Sequence, residues 1–369
     1  MHVISSRASI LPALARVTSI VEAAAPTTNS TVLSHVKVEA HGETLTIRGS
    51  DTRQEITARI PVTVKTPGAA LIQGKMMHSI IGKAVEGEVL IGANSKGARI
   101  VAGAARFDLR TLAPEAYPVF RGADGDVTEF MMPATTLAAT LTSIRFAVLA
   151  DESRPILAGV HMHVDGDLLC IVATNGPVLA RRKLPLPDGA AAMPPTTIPR
   201  RSIDDLIRVL DAADVGNVKC RIAKTRAEFV VGDISLATKL IEGDFPKYAR
   251  VIPPLSPNAA VGRTADIIRG LELMEAIVDR GKAVKWRVNG ALTLSAKNYL
   301  GHSSEDVVDI AYSGPPVEVG FSPKLMLSIL SEIESDAQIH FGADGGSATL
   351  ITCDAMPDAS YVVMPMRTS

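Results

Sequence analysis

The sequence repeats itself. Residues 36–51 read VKVEAHGETLTIRGSD and residues 160–175 read VHMHVDGDLLCIVATN; Gly42 matches Gly166, Leu45 matches Leu169 and Ile47 matches Ile171, each pair 124 residues apart. Apolar residues alternate on both sides of a turn glycine, the pattern of a β-hairpin. A third copy, VKWRVNGALTLSAKN at 284–298, places Gly290 another 124 residues on; its hairpin is one residue shorter, so Leu292 and Leu294 take the equivalent places. A sequence with a fixed internal period folds as repeated units. Three units of about this length account for the 369 residues.

The flanks repeat as well. Ile10, Leu14, Val17 and Val21 before the first hairpin predict a helix by their spacing; Leu137, Leu141, Ile144 and Val148 predict a second, and Ile267, Leu271, Met274 and Val278 a third. Pro12 is expected near the start of the first, where a missing N–H costs least. Second helices are expected around 73–86, 200–212 and 322–334. Each copy thus reads strand, helix, strands, helix, strands, an α+β arrangement. The first two copies end on an aromatic–proline pair, Tyr117-Pro118 and Phe245-Pro246; the third ends as YVVMPMRTS. Proline cannot donate to a ladder, so each pair closes a domain. RGADGDV at 121–127 and IPPLSPNAAVG at 252–262 read as linkers. Domains are expected at 1–124, 127–253 and 257–369.

Hydrophobic residues make up 47% and aromatics only 4%, so aliphatic side chains fill the cores. The formal charge of −1 gives no global attraction to nucleic acid. Cys170, Cys220 and Cys353 lack C-x-x-C spacing and read as reduced, buried thiols. Arg16 interrupts the apolar N-terminal stretch, and no run reaches the ~20 apolar residues of a membrane span. A soluble, cytoplasmic protein is expected.

No catalytic motif is present. Gly68 lies one residue too far from Gly74-Lys75 for a P-loop, and Met76 stands where a magnesium-binding hydroxyl is needed. His161, His163 and Asp165 share a strand face and present a metal-ligand set. The matching row in the first copy, Lys37, Glu39 and His41, is an ordinary polar face, which favours a solvated surface. No cofactor and no metal are expected.

Five separated stretches then carry a resemblance: SDTRQEITARIPV (50–62), VATNGPVLA (172–180), KLIEGDFPKYARVIP (239–253), IAYSGPPVEVGF (310–321) and YVVMPMR (361–367). In this order, over the whole chain, they resemble the bacterial DNA polymerase III beta subunit, the replicative sliding clamp. The resemblance implies three clamp domains per chain, each with helices on an inner face and antiparallel sheets outside. Two chains would close head to tail into a ring around duplex DNA. Phe107 and Leu109 would meet Ile277 and Val278 of the partner chain. Arg7, Arg16, Lys75, Arg154, Arg200, Arg201 and Arg269 would face the DNA and touch phosphates without reading bases. A hydrophobic peptide-binding cleft would comprise Leu157, Thr174, Gly176, Pro177, Leu179, Pro246, Arg250 and Val251. The terminal Val362, Val363, Met364, Pro365, Met366 and Arg367 would complete it. The implied partners are the polymerase catalytic subunit, the clamp loader, other polymerases and repair proteins, all docking through linear motifs.

The chain departs from the family pattern at Pro177 and Val178, where histidine and arginine are common, and at Gly281, where a bulky apolar residue is. The stretch AAAPTTNSTVLSHV lacks the usual basic residue, and Thr368-Ser369 extends the end. These departures imply an altered peptide preference. The alternative reading is a clamp-like interaction scaffold with altered partners or no loading onto DNA; a metal-dependent hydrolase using the two histidines is the remote third.

Overall fold

The structure, a computed structural model, describes residues 1–369 except 23–31, 95, 121, 124, 152, 213–215, 343–345 and 368–369. Among the described residues the helices are α1 (Arg7–Thr18), α2 (Gly74–Lys83), α3 (Ala134–Ile144), α4 (Arg200–Asp211), α5 (Thr264–Glu275) and α6 (Pro323–Leu330). They fall at the six places the periodicity marks. The three hairpins form in the expected frame, with Gly42, Gly166 and Gly290 at φ of +58°, +59° and +80°. Only glycine turns such a corner without steric cost.

The chain divides into two compact units, Met1–Ala139 with Pro187–Ile241, and Thr140–Leu186 with Glu242–Ser369. In the first, a nine-stranded antiparallel sheet runs Thr111–Leu112, Gly68–Gln73, His35–His41, Thr44–Ser50, Gln54–Pro61, Ile234–Lys239, Arg226–Val231, Asn217–Ile222, Thr128–Pro133. The first repeat therefore continues into the second through one ladder, Ala58 opposite Ile234 and Gln54 opposite Thr238. Helix α4 is tied to that junction: the buried Asp205 accepts from Gln54 Nε2 at 2.6 Å and pairs with Arg208 at 3.1 Å. Burial raises its carboxyl pKa despite these partners. A separate five-stranded sheet ends on the strand Ala105–Leu109.

In the second unit, one sheet runs Gly159–Asp165, Leu168–Thr174, Val178–Pro185, Ala359–Val363, Thr349–Thr352, Asp336–His340, Ala260–Arg263. Here the second repeat continues into the third, Val178 opposite Val363 and Leu179 opposite Val362. Arg182 pins this junction through Asp358 at 2.5 Å and Ser143 Oγ at 2.9 Å. The other sheet, Ser303–Val308, Ala291–Lys297, Val284–Asn289, Val317–Phe321, buries Trp286 edge-on against Phe321 at 5.4 Å. Each fully buried Leu, Ile or Phe in these cores is worth about 1.5–3 kcal/mol.

Three expectations are corrected. Ser6 caps α1 by accepting from the Ser9 amide at 3.1 Å, so the helix starts early and Pro12 lies inside it. Ala8, whose carbonyl loses its donor, is exposed, so water can replace the bond. Val21, Val148 and Val278 fall past the ends of α1, α3 and α5. The segment 252–262 is not all linker, because Ala260–Arg263 is already a strand paired with Asp336–His340. The stretch departing from the family pattern at 23–31, and Thr368-Ser369, lie outside the described residues.

Candidate functional site

The residues expected to form a cleft all belong to the second unit. Its centre is the turn Thr174–Val178. Thr174 Oγ1 donates to the Val178 carbonyl at 2.7 Å and accepts from the Gly176 amide at 3.2 Å; Asn175 Oδ1 accepts from the Val178 amide at 3.1 Å. Gly176 sits at φ +105°, a conformation L side chains avoid. Each such bond contributes about 1 kcal/mol and fixes the turn. The terminal strand docks on it, the Met364 amide donating to the Pro177 carbonyl at 2.8 Å.

Below the turn, Val172, Leu179, Leu350 and Val362 form a buried apolar cluster, with Phe245, Tyr248 and Ile252 packed against it. Phe245 and Tyr248 are in turn held by histidines. The His161 ring stacks on Phe245 at 4.4 Å and 3°, and His163 Nε2 lies 2.8 Å from the Tyr248 hydroxyl. The other His163 nitrogen is 3.2 Å from the Val164 carbonyl, which can only accept. In the neutral ring Nδ1 therefore donates and Nε2 accepts the phenol proton. Burial raises the Tyr248 phenol pKa above its ordinary value. The two histidines thus anchor the aromatic–proline segment, and Asp165 pairs with Lys183 at 3.7 Å.

Leu157, Thr174, Leu179, Val362 and Val363 are buried, whereas Gly176, Pro177, Pro246, Arg250, Val251 and Met364 are exposed. Pro365 and Met366 are half-buried, and the Met366 amide donates to the Gly320 carbonyl at 2.8 Å. The set therefore has an apolar floor and an exposed rim drawn from distant stretches. Arg154, expected on the DNA-facing side, stands at this rim with its guanidinium 3.1 Å from the Asn175 carbonyl. Val178 is no part of an exposed wall: at 1% exposure it is core, so of the two departures only Pro177 alters the rim. Gly281 occupies a surface corner at φ +80° with open space around it. Phe245, Tyr248, His161, His163 and Leu350 were not among the residues expected at the cleft; the Phe245-Pro246 pair pointed at the first, and the stretch KLIEGDFPKYARVIP holds the second.

The remaining cations differ in how free they are. Arg7 donates to the Ile81 and Gly82 carbonyls at 3.0 and 2.9 Å and pairs with Glu86 at 2.6 Å, so it caps the C-terminus of α2. Arg16 donates to the Ala212 carbonyl, and its burial lowers its pKa. Arg201 pairs with Asp51 at 3.1 Å, and Arg200 stands 4.0 Å from Asp204. Lys75 and Arg269 are exposed. Phe107 and Leu109 lie on the edge strand Ala105–Leu109, and Ile277 and Val278 follow the end of α5.

Family models of the DNA polymerase III beta subunit match the chain in three consecutive pieces, the N-terminal domain over 1–121, the central domain over 131–247 and the C-terminal domain over 249–367. The chain belongs to the DNA polymerase III beta subunit family. It is similar to the beta sliding clamp of Caulobacter vibrioides, 28% identical over all of both chains, and to that of Escherichia coli K12, 27% identical over 91% of this chain and 92% of the other. Among solved structures, the sliding clamp of Bartonella birtlesii bound to griselimycin superposes with a TM-score of 0.94 at 26% identity, and Caulobacter crescentus pol III beta with 0.92 at 28%; both comparisons cover all of both chains. The three repeats are thus three clamp domains of mixed helix and antiparallel sheet.

Proposed function

We propose that this chain is a non-catalytic DNA sliding clamp whose two copies close head to tail around duplex DNA and tether a polymerase. The observation that carries the reading is the match of all three family domains, in order, across the chain. The family is non-catalytic, a processivity factor. Domain limits at 1–124, 127–253 and 257–369 suit the repeat.

Ring closure is supported by the sheet edges. Ala105–Leu109 and Ser303–Val308 each end a sheet and present an unpaired backbone. Beside the first lies a cavity of about 380 Å³ lined by Ile80, Val85, Ala102, Ala105 and Phe107, which suits an apolar contribution from Ile277 and Val278 of a partner chain. Lys75, Arg16, Arg200, Arg201 and Arg269 supply weak, salt-sensitive phosphate contacts, while Arg154 serves the cleft rim. Arg7, held by its own bonds, contributes least. A net charge of −1 keeps such contacts from acting as a brake.

The cleft receives short linear peptides from the polymerase, the clamp loader and repair proteins, an apolar residue over Leu179 and Val362 and a polar contact at Arg250. Met364 and Met366 adapt to varied partners. The protein works in the cytoplasm. The test is a cross-link: Phe107→Cys combined with Val278→Cys should yield a covalent species near twice 38.9 kDa on oxidation, because the three native thiols are buried. A chain that sizes as a monomer and does not cross-link would refute the ring.

A further inference from the structure

The four-stranded sheet of the second unit has two unlike faces. Trp286 and Leu294 are fully buried on the side that packs against α5, where Gly270 lies against Leu294 and Asp306. Side chains alternate along a strand, so the other face takes Lys285, Ser295, Lys297, Ser303 and Glu305. Lys285 stands opposite Ser295, Ser295 opposite Glu305, and Lys297 opposite Ser303.

Two loops tied to each other close one end of this face. Gly281, at φ +80°, turns the chain after α5, and the Lys282 amide donates back to the Asp279 carbonyl at 3.0 Å. Asn298 Oδ1 accepts from the Leu300 and His302 amides at 3.1 and 2.9 Å, which folds the second turn. Asp279 Oδ2 joins the two by accepting from the Tyr299 amide at 2.8 Å. Within this frame lies a cavity of about 300 Å³ whose lining includes Lys282, Lys285, Ser295, Lys297, Ser303 and Glu305.

Its charges do not balance. Lys285 pairs with Glu318 at 2.6 Å, and Glu305, the one carboxylate of the lining, pairs with Arg287 at 3.1 Å. Lys282 and Lys297 have no carboxylate partner among the described residues, and the hydroxyls of Ser295, Ser303 and Ser304 have no hydrogen-bond partner there. Two unmatched ammonium groups beside three hydroxyl donors suit a ligand with at least two negative charges and many acceptor oxygens. A planar carboxylate is better met by the fork of an arginine; the three rotatable donors of a lysine suit a tetrahedral oxyanion. The lining holds no aromatic and no large aliphatic side chain, so nothing in it would hold a base or an acyl chain.

We propose that this cavity binds the linked phosphates of a small polyphosphate, inorganic or borne by a nucleoside, one per chain. The site does not rest on the ring: Lys282, Lys285, Ser295 and Lys297 all stand off the edge strand Ser303–Val308.

The test is isothermal titration calorimetry on the full chain in low-salt, metal-free buffer, with inorganic triphosphate, ATP, GTP and inorganic phosphate as probes. Triphosphate should bind once per chain and at least about tenfold more tightly than inorganic phosphate. ATP and GTP should bind equally, because no side chain reads the base. Triphosphate tighter than both nucleotides marks an inorganic ligand, and the reverse order marks a nucleotide. Lys282→Gln combined with Lys297→Gln should weaken triphosphate at least about tenfold while leaving the ligand-free Tm unchanged, which separates lost recognition from lost folding. Lys65→Gln, at an exposed lysine of the first unit, should leave binding unchanged. Indifference to the double variant, equal binding of phosphate and triphosphate, a preference between ATP and GTP, several weak sites per chain, or no binding at millimolar triphosphate would each overturn it. A short DNA duplex whose affinity falls with the same double variant would also overturn it, by assigning the two lysines to DNA.

Discussion

The turn Ser50–Gln54 of the first repeat has the hydrogen bonds of Thr174–Val178 in the second, yet the two stand on opposite floors. Ser50 Oγ donates to the Gln54 carbonyl at 3.0 Å and accepts from the Thr52 amide at 3.1 Å, and Thr52, at φ +72°, stands where Gly176 does. Beneath Thr174–Val178 the sheet carries Val172, Leu179 and Val362; beneath Ser50–Gln54 the same three places hold Arg48, Glu55 and Ala237. The backbone hydrogen bonds are shared, so the repeat fixes the frame and leaves the side chains to diverge. Only the later floor is apolar. In the earlier one, burial pushes the Glu55 carboxyl up to about 7, with Arg48 pulling it back. The same scaffold therefore carries an apolar floor in one copy and a polar, charge-bearing one in the other.

Importing the early floor into the late one should have the largest effect. Leu179→Glu places a carboxylate among Val172, Leu350 and Val362 with no arginine at position 172, and should cost about 3–5 kcal/mol in urea unfolding. A loss below about 1 kcal/mol would break the contrast. Next comes Glu55 itself. Its folded pKa, about 7, lies above the ordinary 4.5, so its contribution to stability is fully present below about 4.5 and is lost as pH rises through about 7. The shift corresponds to on the order of 3 kcal/mol. Glu55→Gln should remove that much of the decline between pH 4.5 and 8, and an unchanged profile would show the carboxyl to be unperturbed.

Exchanging the corner residues sharpens the comparison at smaller scale. Gly176→Thr should cost about 1–2 kcal/mol, because it puts a β-branched residue at φ +105°. Thr52→Gly should gain about 0.5–1 kcal/mol, the relief of strain less the added freedom of the unfolded chain. Differential scanning calorimetry reads both. A stabilising Gly176→Thr would show that the two corners are not equivalent.

Much of this was legible in the sequence. Turn glycines and alternating apolar residues placed the hairpins, and i, i+3, i+4 spacing placed the helices, because those signals are local. The cleft stretches came from a family resemblance, and the structure brings Leu179, Val362 and the Pro177–Met364 contact together. What sequence could not show is pairing across distance. His161 and His163 read as part of a solvated sheet face until Phe245 and Tyr248, far along the chain, are seen to occupy them. Val178 read as a wall residue until the facing Val363 buries it. The family resemblance implied a DNA-facing Arg154; the Asn175 carbonyl sets it at the rim. Pro12 misplaced the start of α1 because the cap at Ser6 outweighs one missing donor.

The account turns on enclosure, with many weak contacts around the double helix instead of a tight grip. Its most direct measurement is retention on nicked circular DNA during gel filtration, after incubation with a matching clamp loader and ATP. The account predicts that the protein elutes with the circle at a salt concentration that abolishes ordinary phosphate binding, and that one restriction cut releases it. Retention that survives linearisation, or a failure to load that persists with a loader active on its own clamp, would contradict it.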